Sequence, residues 1–410
     1  MQLASRHTPS HGSKPLAPLS TGGTLAILGR QAKLALAELE SVLDAGSIEP
    51  VSSMAAFLHR SPNPQHLGGI TRLANPITKI SSTNWPEVTK QLSELIPGLI
   101  GNLPEGKIKI GLSVYGFNVK ARQITAAGLE IKKVCRNLGR SARLVPNKEP
   151  TLNSAQVLHN GLLGNNGLEL LIVKAGNFTL VARTTWVQDI DDYAKRDFDR
   201  PKRDAFVGML PPKLAQTMIN LAAPQPNAVV LDPFCGTGVL LQEALLMGYA
   251  VYGSDLNPKM IDYSRTNLEW LEKQYRLQNA SYQLEVADAT SHQWQPPVSC
   301  VASESYLGQP LSGLPKPERL DRIVADCNTI ASKFLTNLRP QLASGARVCI
   351  AFPAWRVSQN ELRHLPMLDR LKDLGYNRVR FQHASREDLV YFRPDQIVAR
   401  ELTVLTVTQE

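Results

Sequence analysis

The stretch 228–245, AVVLDPFCGTGVLLQEAL, decides how the second half of the chain is read. A short apolar run ends in Asp232, and Cys235-Gly236-Thr237-Gly238 then turns into an apolar helical pattern. A buried strand, a glycine loop and a helix in that order make one unit of a parallel α/β sheet, and such sheets bind ligands beyond the carboxyl ends of their strands. Gly236 and Gly238 permit a tight turn and leave no side chain to block close backbone approach. The amides that open the following helix favour a carboxylate. Position 241 is Leu where the dinucleotide fingerprint requires Gly or Ala, which argues against NAD.

Outward from this loop, regular β–α alternation begins at about Lys213. Strands are expected at 228–232, 250–254, 282–287, 298–303, 346–352, 388–393 and 401–408, with helices between most of them. That is the pattern of a doubly wound, mainly parallel sheet. The last two strands, joined through Arg393–Arg400, are expected to form an antiparallel hairpin at one edge. The second strand ends at Asp255 in VYGSDLNP and the third at Asp288 in VADAT. A carboxylate at the first place can take both ribose hydroxyls, and one at the second can accept from an adenine amine. Three acids and a glycine loop describe a nucleoside carrying a zwitterionic amino-acid tail and no phosphate, which is S-adenosylmethionine. The expected cofactor lining is Asp232, Pro233, Phe234, Cys235, Gly236, Thr237, Gly238, Asp255, Leu256, Asp288 and Ala289. The bland alternative is an ordinary strand–helix turn with the acids as helix N-caps.

The first half reads differently. A strand at 24–29 precedes an amphipathic helix at 34–46. Another helix lies near 85–97, a strand at Ile108–Tyr115, and a helix from Lys120 to Leu138 with Ile124, Ile131, Cys135 and Leu138 on one stripe. Runs at 168–175 and 178–185 around Gly176-Asn177 read as a hairpin. The whole chain of 410 residues has a formal charge of +9, and its location matters more than its size. Between Lys107 and Lys148 stand ten basic residues and one acid, Glu130, so the rest of the chain is balanced. Concentrated positive charge fits a polyanion partner. Lys120, Arg122, Lys132, Lys133, Arg136, Arg140 and Arg143 are the candidate residues for such a partner; a merely solvated basic helix face is the competing reading.

No apolar run reaches the roughly 18–20 residues of a membrane-spanning helix. The first 22 residues are polar and read as a flexible tail without the apolar core of a signal peptide. The five cysteines show no C-x-x-C spacing and read as free thiols in a reducing cytoplasm, and the scattered histidines lack metal-ligand spacing, so no metal site is expected. Residues 187–212, charged and then proline-rich, read as a linker or strap between an N-terminal region (23–186) and a C-terminal domain (213–410).

At these residues the chain resembles the class I methyltransferases of nucleic acids, and more narrowly the tRNA guanosine-10 N2-methyltransferase family. TLAILGRQAKLALAELESVL (24–43) resembles that family's opening strand and helix, and HLGGITRLA (66–74) its next element. VQDIDDYAKRDFDRPKRDAFVGMLPPKLAQTMINLA (187–222) resembles its junction into the catalytic domain, DPFCGTG its cofactor loop, and YFRPDQIVARELTVL (391–405) its closing strands. The resemblance implies an α/β protein with a doubly wound, Rossmann-like class I methyltransferase sheet. Before that sheet it implies an α+β, ferredoxin-like or THUMP-type RNA-binding half. It also implies S-adenosylmethionine as cofactor, structured RNA, chiefly tRNA, as substrate, and a cytoplasmic setting. It leaves an accessory subunit open as a further partner, since some relatives are expected to need one.

One departure bears on the chemistry. Family members that methylate an exocyclic amine carry Asp/Asn-Pro-Pro-Tyr/Phe after the fourth strand: acid or amide to accept from the amine, aromatic ring to stack on the base. Here Ser303-Glu304-Ser305-Tyr306 stands at that place, with both prolines missing. In one reading the site is active, Glu304 accepting, Tyr306 stacking and Ser303 beside them. In another the acceptor pocket is altered, and the protein binds RNA while keeping the S-adenosylmethionine pocket, or methylates another atom. A DNA amino-methyltransferase is a third possibility, disfavoured by the N-terminal half.

Overall fold

The computed structural model describes residues 22–204, 210–295, 298–311, 313–358, 361–393 and 396–407. The expected tail lies outside the described residues except for its last glycine. The chain divides into two compact units. One is Met1–Leu25 with Ala74–Thr185; the other is Ala26–Leu73 with Trp186–Glu410.

The N-terminal part runs β1 (Thr24–Leu28), α1 (Ala32–Leu43), β2 (Ile48–Ser52), β3 (Ala55–Leu58), β4 (Ile70–Ile80), α2 (Trp85–Gly101), β5 (Ile108–Tyr115), α3 (Ala121–Asn137), β6 (Ala142–Leu144), α4 (Ser154–His159), β7 (Gly167–Ala175) and β8 (Phe178–Val187). In the first unit the strand order is β4-β8-β7-β5-β6. β7 and β8 form the expected antiparallel hairpin, and β5 lies parallel to both β7 and β6. α2 and α3 bury Leu92, Ile96, Ile124, Ile131 and Cys135 against Ile110, Leu112 and Ile172 of the sheet. Leu138, expected on that buried stripe, is instead exposed, because α3 ends at Asn137 and Leu138 is its C-cap.

In the second unit, residues 26–73 pack with the C-terminal half, while their strands share one sheet with β4 in the order β2-β3-β1-β4. The buried carboxylate of Glu38 on α1 explains this. It accepts from the amides of Gly68 (2.8 Å) and Gly69 (2.7 Å) and from Asn220 Nδ2 (2.8 Å). A buried acid with three donors is satisfied only when those segments stay together.

The remaining elements are α5 (Ile190–Phe198), α6 (Pro212–Leu221), β9 (Val229–Asp232), α7 (Val239–Leu246), β10 (Ala250–Asp255), α8 (Pro258–Tyr275), β11 (Tyr282–Val286), β12 (Val298–Glu304), α9 (Pro317–Leu338), β13 (Leu342–Arg356), β14 (Leu362–Arg363), β15 (Tyr376–Arg378), β16 (Val390–Tyr391) and β17 (Val398–Val407). Their sheet has the order β11-β10-β9-β12-β13-β17-β15. β9 to β13 run parallel, and β17 is antiparallel to β13. Alternation along the strands supplies both faces. Val230, Ala302 and Cys349 meet α6, α7 and α8, while Leu231, Val301 and Ile350 meet α9. The closing hairpin is not at an edge: β17 is interior between β13 and β15, and β16 adds only a two-residue pairing to it. The apolar run of β17 accounts for this, since a strand buried on both faces belongs inside a sheet. Of the expected linker or strap (187–212), residues 205–209 lie outside the described ones, and 187–204 are packed. Arg196 of α5 is buried with its Nε 2.7 Å from Glu243 Oε1, and the backbone of Lys202 exchanges two 2.9 Å bonds with the side chain of Asn267.

Candidate active site

The strand ends on the carboxyl rim of this sheet surround a cleft of about 1100 Å³. Its wall includes Asp232, Pro233, Phe234, Cys235, Gly236 and Thr237 from the glycine loop, Asp255 and Leu256 after β10, and Asp288 and Ala289 after β11. Gly238 does not line it. That glycine is the N-cap of α7 at φ +80°, and a Cβ there would stand 2.9 Å from Ser264 Oγ, so its place is set by turn geometry and close packing. α8 supports the loop from behind: Ser264 Oγ donates to the Gly236 carbonyl (2.8 Å) and Asn267 Nδ2 to that of Thr237 (2.8 Å). Neither residue stood out in the sequence, since a polar residue on the inner face of a helix becomes a signal only once the helix's orientation is known.

The acids are held differently. Asp255 accepts from the amides of Gly236 (3.0 Å) and Asn257 (2.9 Å); burial pushes its pKa up and the two amides oppose the rise. Asp288 accepts from the amide and hydroxyl of Thr290 (2.8 and 2.7 Å), which holds its pKa below the usual carboxylate range. Asp232 accepts from Ser303 Oγ (2.5 Å) and the Phe234 amide (3.2 Å). Burial, with Asp255 and Glu304 nearby, pushes it up to about 7. Leu256, 70% exposed, offers an apolar surface at the cleft edge. Burial raises the Cys235 thiol well above its ordinary range, so it serves as packing and not as a nucleophile.

This donor set fits S-adenosylmethionine. Two carboxylates at successive strand ends keep free lone pairs for hydroxyls and an amine, the first turn of α7, whose Val239 and Leu240 line the cleft, presents helix-end amides to a carboxylate, and an apolar shelf lies alongside. Single small-molecule sites occupy roughly 300–1,000 Å³, so the cleft has room for a second reactant as well.

The acceptor end differs from expectation in one respect. β12 ends at Glu304, whereas Ser303 is fully buried, bonded to Asp232 and absent from the cleft wall. Side chains alternate along a strand, so adjacent residues cannot share one face, and Glu304 takes the strand-end place. Its carboxylate lines the cleft and forms an ion pair with Arg400 of β17; the two side chains are 12% and 5% exposed. Burial raises the Glu304 pKa and Arg400 opposes the rise. Tyr306 lies beside it, 42% exposed at the cleft wall. Arg400 was missed in the sequence, although Arg400-Glu401 inside an apolar strand is a signal: a buried charge requires a partner. The face of α9 bearing Asp326, Thr329, Ile330 and Lys333 closes another side.

In the first unit, Lys120, Arg122, Lys132, Lys133, Arg136 and Arg143 are exposed. Lys133 pairs with Glu130 at 2.7 Å, a surface contact of little energetic weight. Arg140 is different: its guanidinium donates to the carbonyls of Ile100 (3.4 Å), Leu103 (3.3 Å) and Pro104 (2.5 Å). It secures the segment after α2, and these contacts to backbone carbonyls set it apart from the exposed candidates.

The sheet order and its glycine-loop rim are those of the class I methyltransferase fold. Residues 200–367 match the family described as "RMKL-like, methyltransferase domain". The chain is similar to tRNA (guanine(10)-N2)-dimethyltransferases. It is 30% identical to that of Methanothermobacter thermautotrophicus over 156 residues, 38% of this chain and 42% of the relative. It is 31% identical to that of Pyrococcus abyssi over 176 residues, 40% of this chain and 50% of the relative. The chain thus matches half or less of the length of these curated relatives. The crystal structure of TrmN from Thermus thermophilus superposes with a TM-score of 0.52 at 16% identity, over 94% of this chain and 99% of that one, which is a likeness of fold. No helix among the described residues is long and apolar enough to cross a membrane.

Proposed function

We propose that the protein is a cytoplasmic methyltransferase that uses S-adenosylmethionine to methylate N2 of a guanosine in tRNA. The observation that carries this reading is Glu304, a carboxylate at the end of β12, facing the cleft beside the glycine loop and fixed there by Arg400. The names of the similar tRNA-modifying enzymes support the substrate.

S-adenosylmethionine, when bound, supplies an electrophilic methyl group. The chain's own residues do the rest. Asp255 and Asp288 orient the nucleoside end, and the amides that open α7 orient the amino-acid end. Glu304 accepts an N–H of the guanine amine, which aims the nitrogen lone pair along the line of transfer; most of the rate gain is this placement. A carboxylate has acceptor sites to spare beyond one arginine. Its negative charge stabilises the cationic character that develops on the nitrogen. Tyr306, with its phenol kept neutral by burial and by nearby Cys327 and Asp326, presents a ring on which the base stacks. The exposed cations of α3 and β6 in a THUMP-type first unit grip RNA phosphates, as double-stranded RNA is held mainly through backbone and shape.

Transfer of labelled methyl from S-adenosylmethionine into a total tRNA pool, followed by nucleoside analysis, tests the proposal. Label in N2-methylguanosine or N2,N2-dimethylguanosine supports it. Label in no RNA at all, with the cofactor still bound, points instead to an RNA-binding protein that has kept its pocket.

A further inference from the structure

Beside the acceptor end of the cleft lies a second recess of about 270 Å³. One wall is the loop after β12, with Tyr306, Gly308 and Gln309; the other is the first half of α9, with Arg319, Arg322 and Asp326. Tyr306, Gly308, Gln309 and Asp326 border both hollows, so the recess opens where Glu304 and Tyr306 would receive a base, away from Asp255 and Asp288. Gly308, at φ +84°, lets the loop lie against α9; a Cβ there would meet Ile323 Cγ2 at 3.2 Å.

The two arginines stand three residues apart, on one face of the helix. Both are exposed, and no ion pair holds either guanidinium among the described residues. Arg322 Nε donates to the Glu318 carbonyl (3.3 Å), which steadies its stem. The adjacent acid Asp321 is drawn off to Arg363 at 3.2 Å. Asp326 leaves the recess with a net positive charge. A solvated helix face would show the same residue types, but not a hollow continuous with the acceptor site.

We propose that Arg319 and Arg322 bind the phosphodiester next to the nucleotide that enters the cleft. This rests on the RNA-methyltransferase reading and adds to it the place where the backbone is clamped. A base delivered to Glu304 brings its flanking phosphates to the rim beyond Tyr306, and planar guanidinium forks match phosphate oxygens. The clamp is local to the target nucleotide, whereas the cations on α3 act at a distance along the sequence.

The test measures binding of total tRNA by fluorescence anisotropy, with S-adenosylhomocysteine present, from about 50 to 200 mM salt. The double variant R319A/R322A is expected to bind about tenfold more weakly. Its slope of log affinity against log salt should fall by about 1.4–1.8, the contribution of two phosphate contacts at roughly 0.7–0.9 each. R319K/R322K should keep most of the slope, and R370A, at an exposed arginine paired with Asp373, should leave it unchanged. Affinity and slope equal to those of the unsubstituted protein would overturn the clamp while leaving tRNA methylation intact. A reduced slope in a protein that methylates no RNA would keep the clamp and sink the enzymatic reading. No tRNA binding by the unsubstituted protein would remove both.

Discussion

Arg400→Met tests the arrangement most directly. It deletes the cation facing Glu304 and leaves both backbones in place. The two side chains are 5% and 12% exposed, so the carboxylate is left nearly buried and unpaired. Removing one partner of a buried ion pair typically costs 3–5 kcal/mol, and the cleft's access to water puts this case near about 3 kcal/mol. That corresponds to roughly 6–12 °C in Tm for a unit of this size. The pH dependence follows from the sign. Arg400 is the influence that lowers the Glu304 pKa against burial, so its loss moves that pKa higher above the ordinary 4.5. A native carboxyl with a raised pKa contributes stability that is fully present below the unfolded value and is lost as pH rises through the folded one. The deficit of the variant should therefore be smallest below about pH 4.5 and grow towards neutrality. In the methyl-transfer assay the rising limb of kcat against pH should shift to the alkaline side, with S-adenosylmethionine affinity unchanged by calorimetry. Adding Glu304→Gln should restore much of the stability and none of the activity. An Arg400→Met protein with the original pH–rate profile would show that an ionised Glu304 is not the group that accepts from the amine.

Asp255→Ala should weaken S-adenosylmethionine binding by about 10- to 100-fold, the loss of a charged acceptor, while tRNA affinity stays unchanged; calorimetry and anisotropy separate the two. For Asp232, the folded pKa of about 7 against 3.8 makes stability fall as pH rises between those values, by at most about 4 kcal/mol. Asp232→Asn should flatten that fall in chemical denaturation at pH 5 and pH 8, and a slope equal to the original would refute the buried-acid account. Lys132→Ala with Lys133→Ala should lower tRNA affinity and leave Tm unchanged. Arg140→Ala should do the reverse and destabilise the first unit by about 1–3 kcal/mol, since the carbonyls of Leu103 and Pro104 lose their side-chain donor.

How much of this was legible in the sequence depended on the range of the interaction involved. Strand–loop–helix around DPFCGTG, the acids at Asp255 and Asp288, and the hairpin at Gly176-Asn177 are local patterns, and local rules of periodicity and turn chemistry suffice for them. Three other features are tertiary. Glu38 ties residues 26–73 to α6 across 182 positions of sequence. Glu304 meets Arg400 across 96, and β17 is interior instead of lying at an edge. Ser303 and Glu304 were distinguishable only through strand phase, since a one-residue difference in where β12 ends exchanges their faces. Arg140 looked like its neighbours because composition records charge and not where the charge is spent.

In the proposed acceptor site, the neighbourhood of Glu304 stands in for the two prolines that the family resemblance leads one to expect. Prolines after a strand restrict the backbone locally and hold the acceptor group in one orientation. Here the same restriction comes from distant parts of the chain. The Ser305 amide and hydroxyl both donate to the Ala351 carbonyl, at 3.1 and 3.2 Å, which anchors the loop to β13. Gly308 seats its far end on α9, and Arg400 fixes the carboxylate itself. A glutamate is longer than the aspartate or asparagine of the usual motif and has one more torsion to restrain, so an arginine that engages its carboxylate does what a shorter side chain would not need. On the proposed function, preorganisation of Glu304 is carried by contacts to β13, α9 and β17. Substitutions on those elements, outside the motif, should therefore alter turnover as strongly as substitutions within it.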